Sequence, residues 1–149
     1  MWTLKEEERL HEWKEFRQTI SNLPFEEAIL KTVNLWSFAP FVNHYLDRCE
    51  PTEWPTPWEL LQDNKYDDMA KALAMLYTLF LSTHGKEHSF TIERFVSGSQ
   101  LESYNVVSID SGTYILNYNF NEVIPWNQID PDLKLVSSIT PTDLQLDKY

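Results

Sequence analysis

Apolar positions recur every three to four residues over the first half of the chain and every two residues after residue 88. Leu10, Trp13, Phe16 and Ile20, with Arg17 among them, fall on one face of a helix spanning about 4–20. Thr3 and Glu6 have the spacing of a capping box at its start. Pro24 suits the first turn of a second helix, and Glu26 and Glu27 favour the positive end of its dipole. Ile29, Val33 and Trp36 form its buried stripe, and Pro40 stops it. Residues 39–57 hold four prolines and predict an ordered connection ending in Trp54-Pro55-Thr56-Pro57-Trp58. Thr56 and Glu59 make a second capping box, which opens a short helix over 57–63. The longest helix is predicted over 66–84, where Met69, Leu73, Leu76, Tyr77 and Phe80 make one stripe and Ala70, Ala74 and Leu81 widen it. Gly85 supplies its end.

Period-two alternation then predicts strands over 88–96, 104–109 and 113–118, with a turn at Gly98 and a hairpin at Asp110-Ser111-Gly112. Helices first and an antiparallel meander afterwards define an α+β class: N-terminal helices and a long central helix packed on a three-stranded antiparallel meander. We expect a single domain over 1–149, with a helical part and Pro-rich connection (1–64), the central helix (65–85), antiparallel strands (86–120) and an extended C-terminal tail (121–149). That tail carries Trp126, Ile129, Leu133, Leu135, Val136, Ile139, Leu144 and Leu146, more apolar side chains than a solvated segment needs. They can wrap the domain's own core or lie against a neighbouring subunit. Trp54, Trp58, Trp126, Ile129, Leu133, Leu135 and Ile139 are therefore the candidate interaction residues.

The net charge of −11 and the lack of any Lys/Arg cluster argue against direct nucleic-acid binding. The most apolar run, over 70–81, is interrupted by Lys71 and Thr78 and is too short to span a bilayer, so no membrane contact is expected. Residues 1–20 are charged and amphipathic, and no signal peptide is expected there. Cys49 is the single cysteine, so no internal disulfide forms, and it sits in a Pro-flanked loop without an activating base nearby in sequence. His84 and His88 lie four apart, but Gly85 between them should break the helix, and no Cys or further His lies near enough in sequence to complete a zinc set. No metal site and no cofactor are therefore expected. Asp63, Asp67 and Asp68 can offer carboxylates to a divalent ion, yet acids at a helix N-terminus stabilise the helix without one. Three glycines, Gly85, Gly98 and Gly112, cannot build a nucleophile elbow or a phosphate-binding loop.

Two resemblances follow from particular stretches. The sequence over 57–73, together with Trp36-Ser37-Phe38-Ala39-Pro40, Asn43-His44-Tyr45-Leu46 and Tyr114-Ile115-Leu116-Asn117-Tyr118, resembles uncharacterised proteins of tailed bacteriophages. The order of a short helix, a long central helix and three antiparallel strands also resembles the core of transglutaminase-like and papain-like cysteine enzymes. That second resemblance implies a Cys opening the central helix, a His early on a following strand and an Asp or Asn on the next. Those positions fall on Asp67, on Ser103 or Tyr104, and on Asn117, so only the last matches and no catalytic set is expected. The resulting expectation is a non-enzymatic, virion-type structural or assembly protein working through protein contacts in the particle or the host cytoplasm. An acidic inhibitor or adaptor of a host protein is the alternative, and a divergent cysteine-enzyme-like hydrolase the second alternative.

Overall fold

Four helices carry the N-terminal half of the computed structural model, which describes residues 1–99 and 101–149, the Asp147 side chain excepted. They are α1 (Glu6–Ser21), α2 (Phe25–Ser37), α3 (Pro57–Asp63) and α4 (Asp68–Phe80). The Thr56–Glu59 capping box forms at the start of α3 as its spacing requires. The one expected at Thr3 does not form, because α1 starts from Lys5 with no side-chain cap. Residues 1–4 instead turn over, with the Leu4 N–H donating to the Met1 carbonyl at 3.2 Å. That turn lays Trp2 against Trp36, ring centroids 5.0 Å apart, and against Tyr66 at 5.7 Å. Burying a large aromatic ring outweighs a single cap.

The centre of the molecule is α4, buried over most of its circumference. Its Thr78 hydroxyl accepts hydrogen bonds from the indole N–H of Trp13 on α1 (3.0 Å) and of Trp36 on α2 (2.9 Å). The same hydroxyl donates to the Ala74 carbonyl at 2.7 Å. All three side chains are fully buried, so one hydroxyl satisfies both indoles where water cannot reach them. Arg9 ties α1 to α3 by donating to the Leu61 and Gln62 carbonyls, two of the orphan acceptors at the end of that helix.

α4 is shorter than its apolar stripe predicts. Tyr66 is drawn off into a bridge beside Phe41, with its N–H on the Pro40 carbonyl at 3.1 Å. At the other end a single 3-10 turn, Thr83–Lys86, replaces the last turn of α-helix. A Cβ on Gly85 would stand 1.8 Å from the Phe80 carbonyl oxygen, so only glycine lets the chain pass under the helix end.

The strands β1 (Phe90–Val96), β2 (Ser103–Ile109), β3 (Tyr114–Leu116), β4 (Val123–Ile124) and β5 (Lys134–Ile139) form one antiparallel sheet in the order β4-β3-β2-β1-β5. The class is α+β as expected, but the sheet has five strands and not three. The two additional strands come from the segment read as an extended tail. β5 pairs along the free edge of β1, satisfying backbone groups that would otherwise be exposed. Ile139 and Leu146 are buried in the same core as α4. Phe90, Ile92, Val107, Ile109 and Leu116 face α4, while Val106, Ile115 and Ile124 face away and make a second, smaller cluster.

Thr78→Val keeps the shape at the centre but strands two buried indole donors. We expect it to cost about 2–5 kcal/mol in urea unfolding, with Thr78→Ser close to wild type. A Thr78→Val protein as stable as wild type would show that the indoles find other partners.

Candidate active site

The start of α4 places two adjacent carboxylates in different surroundings. Asp67 is the N-cap: one of its oxygens accepts from the Ala70 N–H at 2.8 Å, the other from the Tyr45 and Asp47 N–H groups at 3.0 and 2.9 Å. Those bonds fasten the loop before α3 to the helix start and leave Asp67 a structural role. Asp68, the first helical residue, turns towards the sheet.

Across from Asp68 stands Asn105, the only polar side chain among the inward-facing β2 positions 105, 107 and 109. Its amide Nδ2 donates to Asp68 Oδ2 at 2.9 Å, and its backbone N–H reaches the same oxygen at 3.2 Å. Asn117, immediately after β3, holds its Nδ2 3.2 Å from Asp68 Oδ1, 3.1 Å from the Asp68 carbonyl and 2.9 Å from the Asn105 carbonyl. Asn117 has φ +69°, a left-handed conformation that asparagine tolerates better than most residues. Burial pushes the Asp68 carboxyl above its ordinary value, the two asparagines pull it down, and the neighbouring Asp67 charge pushes it up again; the net shift is upward. Asn105 Oδ1 is buried without a partner among the described residues, an acceptor left over beside the carboxyl.

The rim of this centre is aromatic and carries one cation. Lys71, one turn along α4 and within the field of Asp68, donates to the Ser37 carbonyl at 2.9 Å and lies over the Phe41 ring. Phe38 and Phe120 meet edge to face at 5.1 Å, while the Ser37 hydroxyl accepts from the Asn121 N–H. Phe38, Phe41 and Phe120 are each more than half exposed, at 58, 61 and 68%. Exposed aromatic rings of this kind are suited to contact with a partner molecule.

Of the positions implied by the cysteine-enzyme resemblance, only Asn117 lies in this centre. Asp67 is one residue early, and Ser103 is exposed at the start of β2. Tyr104 points to the opposite face, where it stacks on Tyr118 at 4.8 Å. The correct neighbours, Asp68 and Asn105, follow from strand parity: an inward position on a buried strand is where a polar residue has to be explained. Cys49 is half-buried, its thiol directed at the Tyr45 carbonyl at 3.5 Å.

The interaction candidates divide. Ile139 is core, and Trp54 packs against the core with its indole N–H unpartnered among the described residues. Trp58 is partly exposed and meets Tyr149 edge to face at 4.9 Å. Trp126, Ile129, Leu133 and Leu135 line a groove of about 690 Å³ on the sheet face turned away from α4, so they are separated from Asp68 by the sheet itself. His84 and His88, expected to stand apart, are brought together with Glu87 by the 3-10 turn.

No protein-family model and no curated protein matches the sequence. The fold does match solved structures of LapG from Legionella pneumophila. The calcium-bound form aligns with a TM-score of 0.72 at 17% identity, covering 93% of this chain and 77% of LapG. A second LapG structure gives 0.70 at 18% identity over 91% and 76%, and the EGTA-treated form 0.71 at 18% over 91% and 74%. LapG is a calcium-dependent cysteine protease of transglutaminase-like fold. At these identities the likeness is one of fold. Of the two resemblances read from the sequence, the enzyme one is therefore supported, and no bacteriophage relationship is found. The expectation of a non-enzymatic structural protein of a virion is corrected accordingly: the structural neighbours are proteases, not particle proteins.

The raised Asp68 carboxyl has a consequence for stability. Its contribution is fully present below the ordinary carboxyl value of 3.8, where folded and unfolded chains are both protonated, and is lost as pH rises through the higher folded value. We expect Asp68→Asn to melt above wild type at pH 7, with the difference vanishing below about pH 3.8. An Asp68→Asn protein that melts lower than wild type at pH 7 would show that the ionised carboxyl stabilises the fold.

Proposed function

We propose that the chain is a divergent hydrolase of the cysteine-protease-like fold, cleaving acyl bonds in protein or peptide substrates with the Asp68 carboxylate in place of a thiolate. The observation that carries this reading is the Asp68–Asn105–Asn117 constellation, which occupies the first helical residue, a following strand and the position just after the next strand, much as the resembled enzymes arrange theirs. A carboxylate at a helix N-terminus, partly desolvated and shifted upwards, is suited to general base work. Its two oxygens offer about four lone-pair sites, of which the asparagines take three, leaving one for a water. In the step proposed, water gives a proton to Asp68 as its oxygen attacks the acyl carbon and the carbonyl electron pair moves to oxygen. Collapse of that adduct expels the amine or alcohol, which takes the proton back from Asp68. Asn105 and Asn117 hold the carboxyl in place, and neither accepts the proton.

The calcium named for one LapG structure does not fit this chain's helix start. Asp67 is committed to three backbone N–H groups, Asp68 to two asparagines, Asp47 to His44 and the Tyr45 N–H, and Asp63 to the Tyr45 hydroxyl. An ion there would have to displace those donors. No step is routed through it.

Hydrolysis of casein and of fluorogenic peptide and ester substrates tests the reading. Asp68→Asn should lower kcat/KM by roughly 10²–10⁴ while the protein stays folded, and Cys49→Ser should retain wild-type rates. Wild-type protein that turns over none of these substrates, or an Asp68→Asn variant as active as wild type, would overturn it. The exposed ring at Phe120 should act on substrate binding, so Phe120→Ala raises KM and leaves kcat in place; a fall in kcat alone would remove that role.

A further inference from the structure

Beyond the opposite end of α4, a helix of thirteen residues and so about 20 Å long, lies a second cluster that the proposed chemistry does not use. We propose that His84, Glu87 and His88 bind a zinc-class divalent cation. One ligand atom of each residue lies within 4.8 Å of the others. Two imidazole nitrogens and one carboxylate oxygen are the donor set of a three-ligand zinc site with a fourth position open to water.

The hydrogen bonds outside the cluster set both rings in the form a metal requires. His84 Nε2 lies 2.9 Å from the Ile20 carbonyl oxygen. A carbonyl only accepts, so that nitrogen carries the proton and Nδ1 keeps its lone pair. His88 Nδ1 lies 2.6 Å from Asp110 Oδ2. Donation to that carboxylate leaves Nε2 of His88 with its lone pair. One imidazole backed by a backbone carbonyl and the other by a carboxylate is the usual outer arrangement of metal-bound histidines. Both rings are also held from behind: His88 stacks on Phe25 with centroids 3.6 Å apart and planes 11° from parallel, and His84 is tilted against the same ring at 5.2 Å. Glu87 is exposed and is the ligand free to swing in. Zinc bonds of 2.0–2.1 Å put tetrahedral ligand atoms about 3.4 Å apart, a closure of up to about 1.4 Å, most of which a glutamate side chain can supply.

Charge agrees. The ion's two positive charges meet Glu87 and, behind His88, the Asp110 carboxylate, which also accepts from the Ser89 N–H at 3.0 Å. Nitrogen donors discriminate against calcium and magnesium, which take oxygen. The bound ion would clamp three separate segments. The 3-10 turn is already tied to the end of α1 by Thr83, whose N–H and hydroxyl donate to the hydroxyl and the carbonyl of Ser21, and Asp110 belongs to the β2–β3 hairpin. Gly85 is what allows the turn to place the two histidines on one side.

The full-length chain, stripped with chelator and titrated with zinc chloride, tests this. We expect one zinc per chain, a raised Tm, and with cobalt(II) the intense visible bands of a four-coordinate site. Calcium at the same concentration should bind at least tenfold more weakly. Because His84 is buried and its loss threatens folding, the deciding variants are Glu87→Gln and His88→Gln, which should abolish stoichiometric binding. Asp110→Asn should weaken it about 10–100-fold, and His11→Gln, remote from the cluster, should leave it unchanged. Failure of wild type to bind zinc, or binding that survives in both Glu87→Gln and His88→Gln, would overturn the site. Neither result depends on whether Asp68 supports hydrolysis.

Discussion

Everything in this molecule is referred to α4, and α4 is located by one hydroxyl. Two indole N–H groups from two different helices end on Thr78 Oγ1, which in turn donates to the turn before it. A purely apolar core would bury the same rings but leave the rotation of α1 and α2 about α4 weakly specified. A buried donor that must find one acceptor removes that freedom, because each alternative orientation leaves a polar group unpaired. With the helices set, Tyr66, Trp36 and Trp2 close over one side, and the sheet covers the other.

The two ends of α4 are then available for chemistry of opposite kinds. Its N-terminus faces a strand that offers asparagines, and its C-terminus meets a tight turn that offers imidazoles. The N-terminal centre is costly to the fold, since it holds a carboxyl partly out of water against a second carboxylate one residue away. Asp67 and Asp68 make the contrast plain. Adjacent in sequence and identical in type, one is saturated by backbone donors and the other is set among side-chain amides.

Much of the fold was legible beforehand because its signals are local. The α3 capping box, the Asp110-Ser111-Gly112 turn with positive φ at all three residues, and the alternation over β1 to β3 depend only on neighbours in the chain. β5 was missed for a physical reason. It is an edge strand exposed along most of its length, so no apolar face repeats at period two; what makes it a strand is the unpaired edge of β1. The Thr3 cap failed because a distant partner for Trp2 competed with it.

The sequence alone determined the class, the central helix, the lack of a Lys/Arg cluster and Asn117 as the one position that matches the resembled enzymes. Only the tertiary structure decided which residues share a site. Helix phase selects Asp68 over Asp67, and strand parity selects Asn105 over Ser103 and Tyr104. The 3-10 turn allowed by Gly85 joins His84 to His88, where the helix break expected at Gly85 separates them. Each of these depends on where a backbone is placed to within a fraction of a turn, and that placement is set by packing against residues thirty or more positions away.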